Sequence, residues 1–237
     1  MKITLNALAR VALLALVLNV VNSSQTDASG PKKGKWVKLF DGKTLTGWHS
    51  YLKKEASDKW QVEDGAIVLT SRGGGDLVTD KEYENYELEL EWKISEGGNS
   101  GIIYRVHEDP KYKNSYNSGP EMQVLDNERH KDAKAGKNGN RTSGSLYDML
   151  PPSDFSAQKV AGEWNKVKLV VNNGKVEHYL NGKKVVEYRT SGPEWDKMVS
   201  ESKFKGWEGF NQFSKGRIAL QDHGDKVWYR NIRIKEL

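Results

Sequence analysis

Residues 86–94 read Tyr-Glu-Leu-Glu-Leu-Glu-Trp-Lys-Ile, with Tyr86, Leu88, Leu90, Trp92 and Ile94 apolar and Glu87, Glu89, Glu91 and Lys93 charged. A strand sends successive side chains to opposite faces, so this period of two predicts one buried face and one face in water. The three glutamates are then a solvated strand face and not a catalytic set. The same pattern spreads outward from here. Trp164–Val171, Lys175–Leu180 and Lys183–Tyr188 are separated by Asn173-Gly174 and Asn181-Gly182, dipeptides that supply the positive φ angles of two-residue hairpin turns. Further strands are expected at Trp36–Phe40, Trp60–Val62, Ala66–Thr70, Asp76–Thr79, Gly101–Val106, Glu121–Leu125, Arg217–Asp222 and Val227–Ile234, and only Glu194–Glu201 suits a short helix. A dozen strands divided by turn signals predict an all-β fold, a jelly-roll sandwich of two antiparallel sheets.

The chain has 237 residues, 10% aromatic and 29% charged, and no cysteine. Its apolar content suffices for a folded core. The absence of thiols excludes disulfide scaffolds, zinc-thiolate sites, cysteine nucleophiles and lipid anchors on cysteine. Lys2 and Arg10 precede the apolar run Val11–Leu18, which turns polar at Asn22. That pattern reads as a secretory signal over residues 1–23, too short in its apolar part for a membrane span. A flexible leader (24–34) and one jelly-roll domain (35–237) are expected to follow, in a protein that is periplasmic or secreted. The formal charge of +5 includes Lys2 and Arg10. The remaining excess is scattered, which argues against nucleic acid as a partner, and removal of the signal would leave no membrane attachment.

Two long polar segments, Glu108–Gly119 and Asn127–Gly144, interrupt the strands on either side of Pro120-Glu121-Met122-Gln123-Val124-Leu125-Asp126. Long loops inside a domain commonly carry function. Alternation sends Met122 and Val124 into the core and projects Glu121 and Gln123 from the opposite face, about 7 Å apart. Asp126 points the other way unless a bulge intervenes. The spacing resembles the Glu-x-Asp-x-x-Glu signature of laminarinase-type and lichenase-type glucanases. Gln123 cannot ionise, however, so hydrolysis by paired carboxylates is not met. A second cluster, Gln221-Asp222-His223-Gly224, ends a strand and offers an imidazole that exchanges protons near neutrality. In a third, Asn99-Ser100-Gly101-Ile102-Ile103-Tyr104-Arg105, the arginine is expected on the face of Ile103, either reaching solvent or paired with a carboxylate such as Glu121. His130 with Asp132 is a slight metal hint. No Gly-x-Ser-x-Gly elbow is present, and Gly73-Gly74-Gly75 lacks the Lys-Ser/Thr of a phosphate loop. The segment Arg189–Lys215 is rich in aromatics, for which core packing is the default.

Seven motifs in order, Leu39-Phe40-Asp41-Gly42 with Leu45-x-Gly47-Trp48, Gly98-Asn99-Ser100-Gly101-Ile102-x-Tyr104-Arg105, Pro120–Asp126, Gly144-x-Leu146-Tyr147-Asp148, Gly162-Glu163-Trp164-Asn165, Leu180-Asn181-Gly182, and Leu220–Gly224 with Tyr229-Arg230-Asn231-Ile232, resemble the secreted bacterial 3-keto-disaccharide hydrolase family. The resemblance runs from about Trp36 to the C-terminus and implies a concanavalin A-like jelly roll. It also implies a small carbohydrate substrate, cleaved after oxidation at carbon 3: the ketone acidifies the carbon 2 hydrogen, the group on carbon 1 is eliminated, and water adds back. By that resemblance Glu121 and His223 serve as base or acid, and Arg105 and Gln123 stabilise the enolate oxygen. Asp126 and Tyr147 position sugar hydroxyls, with Gln221 and Asn99 as further substrate contacts. The resemblance assigns no cofactor with certainty, and a divalent metal held by Glu121, Asp126 and His223 is an alternative electrophile. The competing reading is a non-catalytic carbohydrate-binding module, which calls for a flat aromatic platform at Trp195 or Trp207. The oligomeric state is open.

Overall fold

In the computed structural model, which describes residues 34–237, the alternating stretch is a strand over the nine residues Tyr86–Ile94. Its apolar side chains are all buried and its charged ones half-buried. The expected secretory segment and all of the leader but Gly34 lie outside the described residues. Among the described residues the strands are β1 (Trp36–Lys38), β2 (Trp48–Ser50), β3 (Trp60–Glu63), β4 (Ala66–Leu69), β5 (Leu77–Thr79), β6 (Tyr86–Ile94) and β7 (Asn99–Val106), then β8 (Glu121–Leu125), β9 (Asn165–Asn172), β10 (Lys175–Leu180), β11 (Lys183–Arg189), β12 (Arg217–Leu220) and β13 (Val227–Glu236), with one helix α1 (Pro193–Ser200). They form a jelly-roll sandwich. The large sheet runs β11-β10-β9-β6-β13-β4-β3 with β1 also on β13, the small sheet runs β2-β5-β12-β7-β8, and every pairing is antiparallel. The strand β2 was not expected. It is three residues long and wholly buried, too short for an alternation to be read.

The faces follow the parity of the strands. On the large sheet the acids of β6 meet cations of β13 across the ladder, Glu87 with Lys235 at 3.0 Å and Glu91 with Arg230 at 2.8 Å, which is the solvated face the alternation predicts. Such exposed pairs contribute little each. Between the sheets lie Tyr86, Trp92, Tyr104 and Tyr229, all essentially inaccessible, joined from the small sheet by Ile102, Met122, Val124, Ile218 and Leu220. One polar chain crosses this core. His178 of β10 donates from Nδ1 to the Gly144 carbonyl at 3.0 Å and receives the Tyr104 hydroxyl at Nε2, 2.9 Å away. Burial pushes this imidazole down to about 4, so it stays neutral with one proton to donate and one lone pair to accept.

The outer face of the small sheet positions the site. The register pairs Ile103 with Glu121, Gly101 with Gln123, and Asn99 with Leu125. Ile103 forms an apolar floor there with Val78, Ala219, Val106 and Tyr51. The outer edge of β8 is covered by the chain at 143–147: Gly144 N–H donates to Gln123 O at 2.9 Å, Gln123 N–H to Ser145 O at 3.2 Å and Tyr147 N–H to Glu121 O at 3.0 Å. This cover satisfies an edge that would otherwise be open to pairing. It also sets Tyr147 beside Glu121.

Candidate active site

Glu121 is 5% exposed, and its carboxylate is folded back over Gly101, where a Cβ would stand 2.3 Å from Oε1. The approach is open only because residue 101 has no side chain. Burial pushes the Glu121 carboxyl up to about 8. The Lys203 ammonium and a hydrogen bond from Gln221 oppose the rise, while Asp76 and Asp132 add to it. Asp76, tied to the Ser115 hydroxyl and the Asp222 N–H, is itself raised by burial to about 6. A carboxyl that titrates near 8 in a cleft is a group suited to proton transfer at neutral pH.

Around Glu121 stands a network from the second polar loop and the segment after α1. Asp132 accepts the Tyr147 hydroxyl at 2.8 Å and Arg141 Nη1 at 3.0 Å. Arg141 Nε reaches Asp148 Oδ1 at 2.7 Å, and Asp148 Oδ2 accepts the Lys203 backbone N–H at 2.7 Å. The Tyr147 hydroxyl is held well above its ordinary range by burial and by its bond to Asp132, so it remains a donor. At the other end of the cleft the rings of His130 and His223 meet edge to face with centroids 5.9 Å apart. His223 is half-exposed, and burial lowers its pKa, Asp225 opposing and His130 reinforcing the shift.

The structure thus brings Glu121, Gln221 and Tyr147 together, with His223 near Asp132 at the same cleft. It turns four expected site residues elsewhere. Arg105 neither reaches solvent nor meets Glu121: its Nε donates to Phe213 O and its Nη1 to Asn211 Oδ1, both at 2.6 Å. The cause is a bulge. Arg217 pairs with Val106 and Ala219 with Ile103, so Tyr104 and Arg105 oppose Ile218 alone, and Arg105 takes a φ of 58°. An extra residue inverts the parity on which the expectation stood. Asp126 is consumed by its own turn, with Oδ2 receiving Gly97 N–H at 2.7 Å and Oδ1 receiving Glu128 N–H at 3.1 Å. Gln123 lies under the 143–147 cover, its Oε1 taking the Val124 N–H at 3.1 Å. Asn99 is buried beside Asp225, its N–H on Asp225 Oδ2 at 3.1 Å and its Oδ1 without a partner.

These positions bear on the metal alternative. Asp126 cannot join Glu121 and His223 as a ligand while its oxygens cap the 126–129 turn. His130, His223 and Asp225 do bring donor atoms within 4.8 Å of one another. His130 Nδ1, however, accepts the Asp132 N–H at 3.1 Å, which leaves the ring proton on Nε2. A histidine ligand needs a free ring lone pair, and the one His130 has is taken by that N–H, so the residues as placed do not fit a metal. The aromatic platform is also not formed at Trp195, which is 7% exposed and stacked between Tyr188 and Phe210. Trp207 packs half-buried against Phe204, at 5.2 Å between centroids.

Lys203, Arg141 and Asp76 carried no sequence signal. Asp148 stood inside a recognised motif without a role, and Asp132 appeared only as a companion of His130. Arg105 serves the fold here, so Arg105→Ala is expected to cost about 1–3 kcal/mol by leaving Asn211 Oδ1 and the Phe213 carbonyl unpaired. Activity per folded molecule should be unchanged. A denaturant melt and a kcat on the same preparation check both.

The comparisons with known proteins bear on the whole described chain. The model of the 3-keto-alpha-glucoside-1,2-lyase-like domain matches residues 35–235. A Bacteroides thetaiotaomicron (strain ATCC 29148) protein named 3-keto-disaccharide hydrolase is 43% identical over 228 residues, covering 85% of this chain and 78% of that protein. Two crystal structures of provisionally named glycosyl hydrolases from Parabacteroides distasonis ATCC 8503 superpose well. One has a TM-score of 0.78 at 35% identity, covering 86% of this chain and 94% of the other, and the second has 0.65 at 28%, covering 86% and 100%. The chain is a glycosidase-type hydrolase, and it belongs to the 3-keto-alpha-glucoside-1,2-lyase-like family.

Proposed function

We propose that this protein is exported to the periplasm or beyond and cleaves small glycosides oxidised at carbon 3, by elimination followed by hydration. The observation that carries the reading is the Glu121 carboxyl, buried over Gly101 on the outer face of the small sheet and pushed up to about 8 by that burial. Double-displacement hydrolysis asks instead for a second carboxylate as its partner, and the two residues spaced for that part, Gln123 and Asp126, are neutral or consumed.

Glu121 as carboxylate takes the carbon 2 proton, and the C–H electrons form an enolate across carbons 2 and 3. The enolate collapses, restoring the ketone, forming the C1–C2 double bond and expelling the carbon 1 oxygen, which takes a proton from His223. Water then adds at carbon 1, returning a proton to His223, while Glu121 gives its proton back to carbon 2. Atoms and charge close on net hydrolysis. The Asp132 carboxylate, fixed by Arg141 and Tyr147, holds Tyr147 where its ring walls the sugar site.

The reactive form carries its proton on His223 and none on Glu121. The form favoured by the two pKa shifts is its tautomer, with Glu121 protonated and His223 neutral. Because both hold one proton between the pair, the activity is expected to be bell-shaped, falling below the His223 pKa, which lies under 6.5, and above about 8 where Glu121 ionises. His223→Ala should remove the alkaline fall and leave a lower rate that rises with pH as Glu121 ionises near 8. The pH dependence of kcat/KM in both proteins checks this.

The reaction class is tested by incubating the protein with a 3-keto-disaccharide and with its unoxidised parent in D2O. Cleavage of the keto substrate alone, with one deuterium at carbon 2 of the product, is expected. Equal cleavage of both without carbon 2 label would mark an ordinary glycosidase, and binding without cleavage a carbohydrate-binding module.

A further inference from the structure

We propose that Lys203 is a further catalytic residue, whose ammonium holds the carbon 3 oxygen of the substrate and stabilises the enolate formed when Glu121 takes the carbon 2 proton. The assignment rests on the 3-keto-glycoside reading above. It starts from an ammonium whose natural partners are occupied. Lys203 is exposed at the cleft, with Nζ 4.2 Å from the ring centroid of Tyr147 and 5.2 Å from that of Phe204. Two acids stand near it, and both are engaged: Asp148 binds Arg141 and the Lys203 main chain, and Asp132 binds Arg141 and Tyr147. Among the described residues no carboxylate lies within ion-pair distance of Nζ. A lysine carries three donors and no acceptor, and these have no protein acceptor among the described residues.

Its placement is fixed from two sides. The bond from Lys203 N–H to Asp148 anchors the main chain to the 141–148 loop, and the ammonium is held over Tyr147, where the ring face favours a cation. Glu121 is the opposite charge that Lys203 feels most strongly, and Lys203 is in turn the strongest influence lowering the Glu121 pKa. A base and an uncommitted cation thus face the same space without being paired. Carbons 2 and 3 of one sugar are adjacent, so a proton leaving toward Glu121 and a negative charge growing on the carbon 3 oxygen need those two groups side by side. The step moves one proton from carbon 2 to Glu121 and one electron pair from the C–H bond to the carbon 3 oxygen. No other reactant enters. A fixed cation aimed at developing charge is the kind of group whose loss costs about a hundred- to a thousandfold in kcat.

The test uses Lys203→Ala and Lys203→Met on a 3-keto-disaccharide, with melting temperature as a fold control. Methionine keeps the packing on Tyr147 and discards the charge. Both variants are expected to lose about a hundred- to a thousandfold in kcat with KM changed far less, and ethylammonium should restore part of the Lys203→Ala rate. The charged groups facing Glu121 are Lys203, Asp76 and Asp132. Removing the one cation leaves the acids unopposed, so the alkaline limb near 8 should move to higher pH. Wild-type kcat in either variant, or recovery by methionine alone, overturns the role of Lys203. A wild-type protein that turns over no 3-keto substrate overturns the parent reading and this one with it, and an active wild type beside an unaffected variant overturns this one alone.

Discussion

Glu121→Gln is expected to reduce turnover of a 3-keto-glycoside by about a hundred- to ten-thousandfold while making the protein more resistant to heat at alkaline pH. The first effect is the loss of the base. General-base groups contribute about 10²–10⁴, and an amide cannot accept the carbon 2 proton. The second effect comes from the same burial that tunes the carboxyl. Its folded pKa of about 8 lies above the ordinary 4.5 of a glutamate, so the folded state holds the proton more tightly than the unfolded chain does. The stability this confers is complete below about 4.5 and is lost as pH rises to about 8, a loss of a few kcal/mol. Glutamine has no proton to lose. Melting temperatures of the two proteins should therefore agree near pH 4.5, separate through neutrality, and stay apart by roughly 5–10 °C above pH 8. Asp76, raised to about 6, titrates in the same sense in both proteins and cancels to first order. Parallel melts at pH 5 and pH 9 suffice. An unchanged gap between those values would mean that Glu121 is not held neutral by the fold.

Gly101→Ala should inactivate the protein almost as fully without unfolding it. The added Cβ would meet Glu121 Oε1 at 2.3 Å, Cδ at 2.8 Å and Cγ at 2.9 Å, all closer than ordinary contact. The backbone at 101 has no positive φ, so alanine introduces no local strain. What must give is the far end of the Glu121 side chain. The carboxylate swings off the floor, and a displacement of about 1 Å at a reacting group costs on the order of a hundredfold. We expect kcat/KM to fall by a hundredfold or more and stability to change by less than about 2 kcal/mol, since a side-chain rotation relieves the clash. Kinetics beside a urea melt separate the two. The Glu121 pH limb should also drop toward the usual carboxylate range, because the displaced group is better solvated. A variant with wild-type kcat/KM would show that the folded-back position is not the working one.

Several site residues were legible because they lie on strands whose alternation is unbroken. Glu121 had to oppose Met122 and Val124, and Gln221 had to oppose Leu220; parity alone sends them to the face where they are found. Arg105 obeyed the same arithmetic until the bulge at 104–105 inverted it, and nothing in Ile-Tyr-Arg-Val marks a left-handed arginine. Gln123 kept its parity but was covered by a loop some twenty residues further along. Lys203 stood furthest from view. It follows a short helix in an aromatic segment about eighty residues from Glu121, and its relation to the carboxylate exists only through Asp148, Arg141 and Tyr147.

The sequence by itself determined the strands other than β2, the sandwich class, and the choice of groups able to exchange protons. Those properties are local: a period of two, an Asn-Gly turn and an unpartnered carboxylate are complete within a few residues. Tertiary structure alone decided which groups share one cleft, that Glu121 titrates near 8, and that Arg105 and Asp126 belong to the scaffold. Burial, charge and hydrogen-bond competition are sums over neighbours, and those neighbours are brought in by sheet register and loop packing from segments far apart in the chain.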